Sequence, residues 1–168
     1  MTLQEKLKAN TVSLFNSFTT LTPAQVEFKP SSTSWSVLEC VEHIFLVDEA
    51  ISKSISKVAT EKIENDKTEL LGEGKINHVL VNKREQKVQS PAFAVPMGRF
   101  KTIEEAKQNI NATIDKIIHH IDTNKIEEET LTIKHPRLGE MTKMDWIHFL
   151  IHHTNRHILQ IEDVKKLS

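Results

Sequence analysis

Four of the nine histidines in this chain lie between Trp146 and His157, a stretch of about three helical turns. Imidazole is a common ligand for divalent transition metals, and histidines four apart on a helix can present two nitrogens to one ion. Two such pairs occur, His148/His152 and His153/His157. At about 100° per residue, the second pair shares its face with Trp146, Phe149, Leu150, Ile161 and Val164. That apolar stripe predicts an inward pair, and buried polar rings require partners. A metal ion would satisfy both rings; the plainer alternative is two core histidines with ordinary hydrogen bonds. The first pair falls among Asp145, Asn155, Arg156 and Asp163, the pattern of a solvated face. His153 and His157 are therefore the candidate ligands, and His148 and His152 are expected on the surface.

A site with an open coordination position needs at least a third protein ligand. Within Trp35-Ser-Val-Leu-Glu-Cys-Val-Glu-His43, the last residue shares a stripe with Ser36, Cys40, Val47, Ala50 and Ser54. That placement predicts an inward His43, either a core histidine or the third ligand. Glu39 is a ligand or base candidate by its spacing, but it also stands where a helix start places a capping acid. Cys40 either reaches the same ion, closing the site, or fills the core as a small apolar side chain. Gln160, one turn beyond His157, is placed to orient an imidazole or merely to flank it. His119 and His120 suit the positive charge favoured at a helix C-terminus; His135 lies in an expected Lys134-His-Pro-Arg-Leu-Gly139 loop and His78 in the long connection, and neither has a partner visible in the sequence. No Glu-x-x-His or His-Glu-x-x-His occurs, which argues against a di-iron bundle and a zincin.

Four long helices must position these residues. Each opens on a hydroxyl residue with an acid three positions on: Thr2/Glu5, Ser36/Glu39, Thr102/Glu105 and Thr142/Asp145, the spacing of a capping box. The predicted helices run from about Leu3 to Thr19, Val37 to near Glu61, Ile103 to Thr123, and Lys143 to about Lys166. Leu3, Leu7, Leu14 and Phe18 stripe the first, and Ile103, Ala106, Ile110, Ile114, Ile117 and Ile121 the third. Thr22-Pro23 marks a further short start. The Asn65–Lys101 connection carries Gly72, Gly74, Pro91, Pro96 and Gly98, with a short helix expected over Ile76–Arg84. Its length suits a crossover along a bundle.

With 168 residues, four glycines, five prolines and no tyrosine, the chain suits a single all-α domain over 1–168. A net charge of −1 removes the basic field that nucleic-acid binding needs. No apolar run reaches about twenty residues and no secretory h-region follows Met1. No membrane contact and a cytoplasmic location are expected. Cys40 is the only cysteine and has no internal disulfide partner.

Trp35-Ser36 followed by Glu39 and His43, then His135-Pro-Arg-Leu-Gly139, then His153-x-x-Arg-His157-x-x-Gln160 together resemble the DinB/YfiT-like superfamily over nearly the whole chain. The resemblance implies an antiparallel four-helix bundle with a long crossover between the second and third helices. It also implies one zinc or nickel ion on His43, His153 and His157, and a homodimer. It further implies a small-molecule substrate: the family includes S-transferases that use bacillithiol, mycothiol or similar low-molecular-weight thiols, and metal-dependent hydrolases. A thiol S-transferase acting on small electrophiles is the leading expectation. The alternatives are a hydrolase with a hydroxide nucleophile and a non-catalytic, stress-associated metal-binding protein. Arg99, Lys101, Arg137 and Arg156 are candidates for a basic pocket mouth.

Overall fold

Hydroxyl-to-acid pairs start the long helices through hydrogen bonds that satisfy their first orphan amides. In the structure, a computed structural model that describes residues 1–56, 63–64, 66–86 and 88–168, the pairs Thr2/Glu5, Ser36/Glu39 and Thr142/Asp145 are complete capping boxes. At the remaining start, Thr102 caps Glu105 N, but the Glu105 carboxylate accepts from Lys101 N at 2.9 Å instead of closing the box.

The long helices are α1 (Leu3–Asn16), α3 (Val37–Ser56), α5 (Ile103–Asn124) and α6 (Lys143–Lys165); α2 (Pro23–Glu27) is the short helix begun by Thr22 and Pro23. The segment 57–61, where the second long helix was expected to end, lies outside the described residues. The buried stripes Leu7/Leu14/Phe18, Ile44/Ile51/Ile55, Ile110/Ile117 and Ile147/Ile161 meet in one core, which is why these amphipathic segments hold as helices. Each of α3 and α1 packs against both α5 and α6. Phe45 on α3 meets Phe100 beside the start of α5, so the crossover returns α5 alongside α3 in the same direction. Gln4 near the start of α1 reaches Asp122 near the end of α5, so those two run antiparallel. The molecule is a four-helix bundle with a long crossover.

A small sheet not anticipated in the sequence joins the bundle. Strands β1 (Ile63–Glu64), β2 (Leu131–His135) and β3 (Gly139–Thr142) are antiparallel in that order. The His135-to-Gly139 segment, read above as a loop, is the tight turn between β2 and β3, and Gly139 supplies its positive φ of 80°. At five and four residues, β2 and β3 are too short for their alternation to stand out as a strand signal.

The crossover contains α4 (Glu73–Asn77), one π-helical turn over His78–Asn82 and a single 3₁₀ turn at Ala92–Ala94. Buried carboxylates tie both of its ends to the bundle. Asp145, besides capping its own helix, accepts from the backbone of Leu70 and Gly72 at 2.9 Å each and of Leu71 at 3.2 Å. Glu42 accepts from Met97, Gly98 and Arg99 at 2.7, 3.1 and 3.0 Å. Both cradles turn at a glycine with φ of 76°, Gly72 and Gly98, which lets successive N–H groups converge on an anion. Arg156 pins the middle by donating to the carbonyls of Leu80, Arg84 and Gln86. Replacing Asp145 with asparagine puts an N–H₂ where acceptors are needed. Urea unfolding should show a loss of about 2–4 kcal/mol, and a loss below about 0.5 kcal/mol would show that this anchor contributes nothing.

Candidate metal centre

Turn spacing on α6 brings His153 and His157 onto one inward face, and α3 lays His43 against them. All three are buried. The Nε2 atoms of His43 and His153 are 3.2 Å apart, and those of His157 and His153 3.1 Å. These three residues form the one group of three or more His, Cys, Asp or Glu residues among the described residues whose ligand atoms lie within 4.8 Å of one another.

The outer ring nitrogens determine what the inner ones offer. His43 Nδ1 lies 2.7 Å from the carbonyl oxygen of Ala94; a carbonyl only accepts, so Nδ1 carries the hydrogen and Nε2 a lone pair. His157 Nδ1 donates to Gln160 Oε1 at 2.9 Å, with the same result. His153 Nδ1 is buried without a hydrogen bond, and its ring instead stacks on Phe149 at 5.6 Å and 13°. Lone pairs converging at this distance repel unless a cation or proton sits among them. Ligand nitrogens about 2.0–2.1 Å from a tetrahedral ion lie roughly 3.3 Å apart, close to the spacing found. The donor set therefore fits a divalent cation.

Electrostatics point the same way. Burial holds His43 below the usual imidazole range, opposed only in part by its bond to Ala94. Burial, then the neighbouring His157 and His43, hold His153 well below it. Burial and then His43 lower His157 to about 3. Neutral rings are what a metal requires. The Trp35 ring covers the centre, 4.8 Å from His43 and 6.4 Å from His157.

The other candidates take their plainer roles. Glu39 caps α3 and pairs with Lys29 at 2.6 Å. Cys40 is buried, and burial followed by the nearby Glu39 pushes its thiol up to about 12, so at neutral pH it fills the core as a protonated thiol. Gln160 is the orienting partner, not a flank. Of the basic side chains, Arg156 is committed to carbonyls, Arg99 lies over the Phe45 ring at 4.9 Å and Lys101 donates to Gly98 O. His120 lies at the end of α5 near Asn124, and His78 is exposed.

The solvated face expected for His148 and His152 is corrected: they are only 3% and 9% exposed. The crossover folds over that side of α6, bringing Glu69 within 3.5 Å of His148 and Glu73 within 3.5 Å of His152. Lys6 already holds Glu73 at 2.8 Å, and these donors do not converge on one point as the inner three do.

Two functional groups had no readable signal in the sequence. The Ala94 contribution is a backbone carbonyl, identical at every residue. The Glu42 anchor is visible only as an acid on an inward stripe beside His43.

Residues 6–161 match the profile of the DinB superfamily. An uncharacterised protein of Bacillus subtilis strain 168, YuaE, is 23% identical over 152 residues, spanning 90% of each chain. A solved structure described as TT2238, a four-helix bundle protein, is similar at a TM-score of 0.60 and 13% identity, covering 96% of both chains; at that identity the likeness concerns the fold.

Proposed function

This chain belongs to the DinB superfamily, and from that premise we propose that it is a metal-dependent thiol S-transferase acting on small electrophiles in the cytoplasm. One observation carries the proposal: the ligand set consists of neutral imidazoles alone. A zinc or nickel ion on His43, His153 and His157 would supply Lewis acidity that lowers the pKa of a low-molecular-weight thiol. Neutral ligands leave the cation's charge uncompensated, which favours an anionic sulfur over a neutral one.

The residues around the centre serve that task. Ala94 and Gln160 hold two imidazoles in the tautomer that turns Nε2 inward. Trp35 and Phe149 exclude water from the rings. The nearby carboxylates of Glu39 and Glu42 are engaged with backbone N–H groups, so neither is free as the general base that hydrolysis commonly uses. In the transfer, the sulfur lone pair forms the new C–S bond, the leaving group departs with the electron pair of the bond that breaks, and the thiol proton goes to solvent.

The test is conjugation of several low-molecular-weight thiols to a chromogenic alkylating agent by metal-loaded protein, with ester and amide hydrolysis run alongside. Metal-dependent conjugation is expected. Hydrolysis without conjugation overturns the transferase in favour of a hydrolase, and turnover of neither favours a binding protein.

A further inference from the structure

His135 is the histidine outside the centre whose ring edges are assigned different tasks. Its Nδ1 accepts from the backbone N–H of Arg137 and of Leu138, each at 3.1 Å. Both donors belong to the β2–β3 turn, so the Nδ1 lone pair is consumed in shaping that turn and the ring's hydrogen resides on Nε2. No hydrogen bond to Nε2 is formed among the described residues.

The ring is also held in place. It lies 5.2 Å from Trp146 and 4.9 Å from Phe149, and Phe149 in turn stacks on His153. Trp146 is fixed by its own bond from Nε1 to Ile133 O at 3.2 Å. The turn, β2 and one face of α6 thus clamp a half-buried imidazole next to the aromatic ring that backs a candidate ligand. Burial, then Arg137, hold the His135 ring below the usual range, which agrees with a neutral N–H donor at pH 7.

We propose that His135 is a substrate-contact residue, its Nε2–H donating to an acceptor oxygen of the group held at the three-histidine centre. The substrates it selects carry a carbonyl or carboxylate oxygen a short distance from the atom that faces the metal. This inference rests on the metal reading of that centre. It adds a contact from an element, the β-turn, that belongs to none of the bundle helices.

Cobalt(II)-loaded protein reports ligand binding through its visible absorption, independently of turnover. Acetate and chloride are the probes: both are anions, and acetate alone offers a second acceptor atom. His135→Asn keeps an acceptor for the turn amides while withdrawing the distal donor. It should weaken acetate about tenfold, as expected for a lost bond to a charged acceptor, and leave cobalt content and chloride affinity unchanged. His135→Phe, which keeps the ring packing, should repeat the effect. Acetate affinity within about twofold of wild type in both variants overturns the proposal, and so does equal weakening of acetate and chloride, which would make His135 a support of the centre. Failure of the wild type to take up cobalt overturns the metal reading itself, a result distinct from either.

Discussion

Replacing His153 or His157 with alanine is expected to reduce bound metal from about one divalent ion per chain to near zero, measured by elemental analysis of purified protein. His43→Ala should do the same, although it lies 110 residues from its nearest partner. Each substitution leaves two imidazoles where three Nε2 atoms converge, too few to hold the ion against buffer. His148→Ala and His152→Ala should keep the metal, because neither ring belongs to the converging group of donors. Gln160→Ala should fall between, at about 10- to 100-fold weaker affinity, because it removes an orienting bond while leaving the ligands. Metal retained by the inner variants, or lost equally from the outer ones, would sink the assignment.

Acid should destabilise the metal-free protein steeply between about pH 6 and pH 4. His43, His153 and His157 have folded pKa values below that of an unfolded imidazole, so as pH falls through about 6.5 the unfolded chain gains protons that the native one refuses. Where the unfolded state binds more protons, stability falls with falling pH. Asp48 works in the opposite direction. It is buried with one carboxylate oxygen unpartnered, and burial raises it well above the usual range, so the native state keeps a proton there that the unfolded state holds only below about 4. His153 and His157, the two held furthest down, set against the one carboxyl leave a difference of at least about one proton, equivalent to about 1.4 kcal/mol per pH unit, and His43, His135 and His152, also held below the usual range, add to it. Denaturant melts at several pH values measure the slope, and Asp48→Asn should steepen it by about one proton. A slope near zero across that window would mean that the three rings do not stay neutral in the folded state. A bound divalent ion should shift the acid limb to lower pH, because it stabilises only the native state.

The helices were legible because their signals are local. A hydroxyl and an acid three residues apart satisfy amides within one turn, and the stripes Leu7/Leu14 and Ile110/Ile117 repeat at the helical period. Thr102 shows where that reading stops: the spacing is right, but Lys101 N lies closer to the acid's reach. The β2–β3 hairpin was read as a loop because its strands, five and four residues long, alternate over too few positions to stand out. Its stability comes from pairing with neighbours and from packing His135 on α6, both of which are tertiary.

For the centre, the sequence determined that His153 and His157 share an inward face and that His43 lies on another. Periodicity reports which side of a helix is apolar, and that is a property of each segment alone. What it cannot report is the partner of a face, or what covers a face that looks polar. Only the packed bundle decided that His43 meets the pair, that the Ala94 carbonyl sets its tautomer, and that the crossover encloses His148 and His152. Those outcomes depend on contacts between residues far apart in the chain, where buried carboxylates and backbone groups of no distinctive type hold the crossover against the helices.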